Sequence, residues 1–138
     1  MRWGISIAGV ALLIAGCAHM GTASDQPRVR SLADTQWSIA SINGAAPAAQ
    51  RKAEIRFSED RISGNAGCNS FGGGYTIAGS SMTATQVIST KMACMGGGME
   101  QENAFFKILG QPMAMTWQED GSLTLSDDGG TVTLVPVK

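Results

Sequence analysis

The chain has 138 residues, 43% of them hydrophobic and 15% charged, with a formal net charge of −1 at pH 7. That length suits one domain, and a balance so near neutrality provides no electrostatic footprint for nucleic acid. The single histidine, His19, stands ahead of every folding signal, so neither a Ser-His-Asp nor a Cys-His catalytic set can be assembled within a domain.

At the amino end, Met1-Arg2-Trp3 precedes an almost wholly apolar run from Gly4 to Ile14, closed by the small residues Ala15-Gly16 before Cys17. A membrane-spanning helix needs roughly 20 apolar residues, and this run is shorter, so residues 1–16 read as an export signal. Ile14-Ala15-Gly16-Cys17 resembles the bacterial lipobox, with Ile14 where leucine is commoner. The expectation is cleavage before Cys17, lipid on its thiol, and the membrane as a partner through that lipid. The alternative is an ordinary cleaved signal in which Cys17 is incidental. Residues 17–31 are mostly small and polar, the composition of a tether, and the domain is expected over 32–138.

With Cys17 assigned to lipid, Cys68 and Cys94 remain as an even pair in an oxidising compartment. A disulfide between them is expected, and two buried free thiols are the alternative. The domain alternates in short apolar runs separated by turn signals, the pattern of an antiparallel sheet. Trp37 and Ile39 open it. Ala53, Ile55 and Phe57 lead through Ser58-Glu59-Asp60-Arg61 to Ile62, a hairpin. Met113, Met115 and Trp117, then Leu123 and Leu125, then Val132 and Leu134 form a three-stranded meander turned by Asp120-Gly121 and Asp127-Asp128-Gly129-Gly130. Between hairpin and meander, Phe105, Phe106 and Leu109 recur at helical spacing until Gly110 and Pro112, which predicts one helix over 99–109. The fold class is α+β, a β-rich curled antiparallel sheet with one helix.

Candidate chemistry is sparse. Zinc would have only Cys68, Cys94 and carboxylates, a poor ligand set. The acidic pairs Glu59-Asp60, Glu119-Asp120 and Asp127-Asp128 offer general acid–base groups, but all fall at predicted turns, where they serve solubility and local hydrogen bonding. Gly72-Gly73-Gly74 and Gly96-Gly97-Gly98 lack the residues of a phosphate loop and read as flexible connections. Met92, Met95, Met99, Met113 and Met115 read as core filling, with an adaptable apolar cavity as the alternative.

The order Leu-Ala-Asp-Thr-Gln-Trp-Ser-Ile-Ala-Ser-Ile-Asn-Gly over 32–44, Arg61-Ile62-Ser63-Gly64-Asn65-Ala66-Gly67-Cys68-Asn69 with Phe71, Gly73 and Tyr75, Thr90-Lys91-Met92-Ala93-Cys94, and a helix opening near Glu100 or Glu102 together resemble the META domain family of HslJ-like envelope lipoproteins. The resemblance spans about 32–135. It implies a cracked antiparallel β-barrel with one helix and no established catalytic activity, in a family associated with envelope stress. Ser70 stands where a larger polar residue is common, and Gly96-Gly97-Gly98 replaces a stiffer link. Gly64, Gly67, Asn69, Tyr75 and Thr90, with Cys68 and Cys94, are the candidate site, read as a structural clasp first and a binding surface second.

The functional expectation is a non-catalytic, lipid-anchored envelope protein without a cofactor, meeting an envelope protein partner. A carrier of a small apolar ligand in the curled sheet is the alternative. Ala18 is not the aspartate that commonly retains lipoproteins at the inner membrane, so the outer membrane is expected by analogy.

Overall fold

A computed structural model describes residues 30–48 and 52–138. In chain order they form β1 (Thr35–Ile42), β2 (Glu54–Phe57), β3 (Arg61–Asn65), β4 (Ser70–Ala78), β5 (Ser81–Ser89), α1 (Gly98–Leu109), β6 (Met113–Trp117), β7 (Leu123–Asp127) and β8 (Gly130–Pro136). The hairpin, helix and meander therefore stand where periodicity places them. Each strand pairs antiparallel with the next, and β8 returns to β1 from Trp37 opposite Pro136 to Ile42 opposite Val132. The expected curled sheet is thus closed into a barrel, which removes the edges of the first and last strands. The barrel is closed and not cracked as the resemblance implies, and its shortest ladder is the seam of β5 with β6, which meet only at Ser81 with Ala114 and Met82 with Met113.

Alternation fills the interior. Ile55, Phe57, Ile62, Met82, Met113, Leu123, Leu125, Val132 and Leu134 are each no more than 1% exposed. Side chains of this size occupy the bore of an eight-stranded barrel. In β1 a register shift between Ile39 and Ser41 inserts one residue, so Ile42 returns to the interior although strict alternation from Ile39 would turn it outward. At the end where β1 begins, Leu32 is buried, and Thr35 Oγ1 donates to its carbonyl at 2.5 Å. There the Trp37 and Trp117 rings lie 5.8 Å apart, and the Arg30 guanidinium sits 5.3 Å from the Trp117 centroid.

The helix covers the opposite end. Glu102, Phe105, Ile108 and Leu109 are its buried stripe, and Phe105 and Phe106 lie 5.2 and 5.7 Å from the Phe71 ring of β4. Glu100 in the first turn and Lys107 in the last complement the helix dipole. Gly110 closes the helix by donating to the Phe106 carbonyl at 3.0 Å.

Two expectations are corrected here. Gly72-Gly73-Gly74 is no flexible connection but the middle of β4. The register shifts there because β5 bulges: Gly72 faces Ile88 and Gly74 faces Thr85, leaving Gln86 at φ 49 in the extra position. A Cβ on Gly73 would approach the Thr85 carbonyl oxygen to 2.8 Å, so lack of a side chain there is a packing requirement. The methionines also divide: Met113 is in the core, Met115 is partly buried against it, and Met92 and Met95 are 45% and 84% exposed.

Candidate functional site

The helix-covered end of the barrel gathers most of the candidate residues. Asn65 ends β3 and shapes the next turn, its Oδ1 accepting from the Gly67 amide at 2.7 Å and its Nδ2 donating to the Cys68 carbonyl at 3.4 Å. Gly67 takes φ 127, a conformation that L side chains rarely adopt, and a Cβ there would stand 2.6 Å from Gln101 Nε2. A Cβ on Gly64 would fall on the Glu54 carbonyl of β2, so this residue lets the two strands come together. Cys68 and Cys94 are joined as a disulfide with Cα atoms 5.9 Å apart. That bond ties the β3–β4 loop to the segment that leads from β5 into α1.

Beside the disulfide, Asn69 is 1% exposed and fully engaged. Its backbone amide donates to Glu102 Oε2 at 2.6 Å and its Nδ2 to Glu102 Oε1 at 2.7 Å. The same Nδ2 donates to the Met92 carbonyl at 3.3 Å, while Oδ1 accepts from the Met92 amide at 2.7 Å and from Thr90 Oγ1 at 2.9 Å. Gln101, the neighbour of Glu102, reaches two loops: its Nε2 donates to the Ala66 carbonyl at 2.6 Å and its Oε1 accepts from the Ala48 amide at 2.8 Å. Asn69 thus uses both amide hydrogens and both lone pairs, with nothing left over for a ligand. The chemistry of this arrangement is fastening: three separate backbone segments and one helix are held by a buried polar network and a covalent bond.

Gly64, Gly67, Cys68, Asn69, Thr90 and Cys94 therefore belong together. Tyr75 does not join them. It lies toward the other end of β3, where its hydroxyl donates to the Ser58 carbonyl at 2.7 Å and its ring packs edge-on against Phe57 at 5.3 Å, bracing the β2–β3 turn. Burial, reinforced by Asp34, Asp60 and Glu59, holds its phenol above the ordinary value of 10.0. Cys17 lies outside the described residues. Glu102 was missed as a participant, although a signal existed: it precedes Phe105 by three positions and Leu109 by seven, so a carboxylate occupies the apolar stripe. Gln101 gave no such signal.

The acidic pairs lie in turns, except that Asp127 is the last residue of β7. Asp120 Oδ1 accepts from the Ser122 hydroxyl at 2.7 Å and amide at 2.8 Å, and these bonds hold its carboxyl below the usual value of 3.8. Asp127 Oδ1 accepts from Gly129 and Gly130 amides at 2.6 and 3.1 Å. Among the described residues no group of three or more His, Cys, Asp or Glu is placed to hold a metal ion.

One concavity accompanies the seam. Because β5 runs unpaired with β6 beyond Met82, a groove of about 520 Å³ opens between it and α1, lined by Ala84, Val87, Ser89, Asn103, Phe106 and Leu109 among others. The amphipathic lining was not legible in the sequence, since it depends on where pairing stops.

Comparison with known proteins adds family but no activity. No curated protein matches the chain. A solution NMR structure shares 26% identity over 73% of this chain and 87% of its own, with a TM-score of 0.64. A second, of a protein from Burkholderia xenovorans, shares 24% identity over 78% of this chain and 84% of its own, with a TM-score of 0.61, and shows the same fold. The META domain matches residues 30–138, which with the β3–β4 motif and the disulfide places the chain in the META domain family.

Proposed function

We propose that this chain is a non-catalytic lipoprotein of the bacterial envelope, tethered through Cys17 to the outer membrane and serving as an interaction module in stress protection. The observation that carries the reading is the combination of Ile14-Ala15-Gly16-Cys17 with a disulfide that accounts for both remaining cysteines. A lipid-bearing thiol and a stapled pair are chemistry of an exported chain. The clasp supports a non-catalytic role, because its polar groups are committed to one another. The filled barrel favours interaction over the carrier alternative, and the open side of β5 next to α1 offers an extended partner segment a place to pair.

Metabolic labelling with an alkyne palmitate analogue tests the anchor. The wild-type chain becomes labelled and sediments with outer membranes, and Cys17→Ala abolishes both; an unlabelled wild type overturns the anchor. A photo-crosslinking residue at exposed Asn103 in the groove tests the module, with the same residue at exposed Arg61 as control. A discrete envelope adduct at Asn103 alone is expected. Equal or absent adducts at both positions overturn the assignment of this face.

A further inference from the structure

We propose that Met92, Met95 and Met99 form a site for a soft monovalent cation, copper(I) in the envelope, built around the Cys68–Cys94 disulfide. Three thioethers fall within eight residues of chain, and two of them lie on the surface: Met95 is 84% exposed and Met92 45%, whereas Met82 and Met113 in the same domain are at most 1% exposed. Core filling therefore does not explain Met92 or Met95.

The disulfide draws the three together. Cys68 Sγ stands 3.9 Å from Met99 Sδ and 3.6 Å from the Met92 carbonyl oxygen, and Met95 follows directly on Cys94, the other half of the bond. Met92 and Met99 thus stand against one sulfur of the pair, Met95 is bonded to the residue that carries the other, and all three side chains are unbranched with three rotatable bonds each. The Met92 backbone is fixed further by the two bonds it exchanges with Asn69, and Met99 by the first turn of α1. The backbone of the loop is thereby anchored at Met92 and Met99.

Neutral thioethers select soft d10 ions such as copper(I) over hard divalent ions, which prefer oxygen ligands. Among the described residues no His, Cys or carboxylate cluster competes for the role. The nearby ammonium of Lys91 is turned aside to Ser89 Oγ at 3.2 Å, and Glu100 adds a negative charge beside Met99. The disulfide sulfurs are not ligands in this proposal; they position the donors, and no electron is transferred.

The test uses the full chain in mild detergent, with thiol titration confirming that the disulfide is intact. Silver(I) serves as a redox-inert probe, and copper(I) is titrated anaerobically against a chromophoric chelator. With methionine methyls isotopically labelled, one equivalent of silver(I) is expected to shift the Met92, Met95 and Met99 resonances and to leave Met82 and Met113 in place. The M92L/M95L/M99L variant is expected to weaken copper(I) binding by about tenfold or more. Because Met92 and Met95 are exposed, M92L/M95L provides a folded check if the triple variant is destabilised. Unchanged affinity in both variants, or methyl shifts confined to Met20, would assign the ion to the amino-terminal segment and overturn the site.

Discussion

Replacing Asn69 by alanine isolates the energetics of the clasp. The backbone bond to Glu102 Oε2 survives, but Glu102 Oε1 loses its donor from Nδ2, and the Met92 amide and Thr90 hydroxyl lose Oδ1 as acceptor. Thr90 is exposed and can turn to water, so it contributes little. Glu102 Oε1 and the Met92 amide are left facing the volume that the amide vacated. An unsatisfied buried group costs about 1–3 kcal/mol, more when charged, so the loss is about 3–5 kcal/mol. Native domains retain only about 5–15 kcal/mol, so a large share of stability rests on this side chain. Urea unfolding followed by tryptophan fluorescence reads the change as a lower midpoint at unchanged slope. Glu102→Gln presents an amide donor to Asn69 where an acceptor is required and should cost somewhat less, since one bond remains. In the double variant the two losses should fall short of their sum, because both act on the same side-chain contact between Asn69 Nδ2 and Glu102 Oε1. A loss under about 1 kcal/mol for Asn69→Ala, or strict additivity in the double variant, refutes the view of the clasp as one cooperative network.

Reduction provides an independent measurement. For a sequence separation of 26 residues, chain-entropy reasoning assigns the disulfide about 3.5 kcal/mol, so reductant should lower the urea midpoint accordingly, and the oxidised domain should show no titratable thiol at Cys68 or Cys94. Gly64→Ala drives a methyl group into the Glu54 carbonyl and should cost about 2 kcal/mol or more, whereas Gly97→Ala meets only an ordinary contact with Ala48 and should change stability by under about 1 kcal/mol; circular dichroism melts compare the two. Tyr75 is the single tyrosine, so alkaline difference absorbance reads it alone and should place its titration above 10.0. Since its folded value is raised, its contribution is complete below 10.0 and is lost as pH rises from there through the folded value. Tyr75→Phe should flatten that alkaline decline.

Legibility in the sequence followed the range of the interactions. The β2–β3 hairpin, the β6–β8 meander and α1 are encoded in periodicity and turn residues within a few positions of each other, and all were readable. The burial of Ile42 was not, because it depends on a bulge whose only trace is a phase slip after Ile39. Gly72-Gly73-Gly74 misled for a related reason: three glycines weaken a strand on propensity alone, and only the close passage of bulged β5 shows why side chains are excluded. In the clasp, glycines and cysteines advertised themselves by type. Glu102 showed only as a carboxylate in the apolar stripe and Gln101 not at all, because their partners lie more than thirty residues away.

The seam explains why the clasp is placed where it is. Seven of the eight strand interfaces are held by ladders of four or more residue pairs, whereas β5 and β6 share two, and α1 lies across the groove from the unpaired part of β5. A helix in that position covers the barrel end only while it is held down. Its own apolar stripe grips Phe71 from one side, and Glu102, Gln101 and the disulfide next to its first turn grip the loops from the other. Oxidation of Cys68 and Cys94 thus fastens the segment that leads from β5 into α1. Detachment of α1 on reduction should appear first as amide exchange in α1 and the Thr83–Ser89 part of β5, while β7 and β8 remain protected. Uniform loss of protection across all eight strands would refute this ordering and show that the seam is no weaker than the rest.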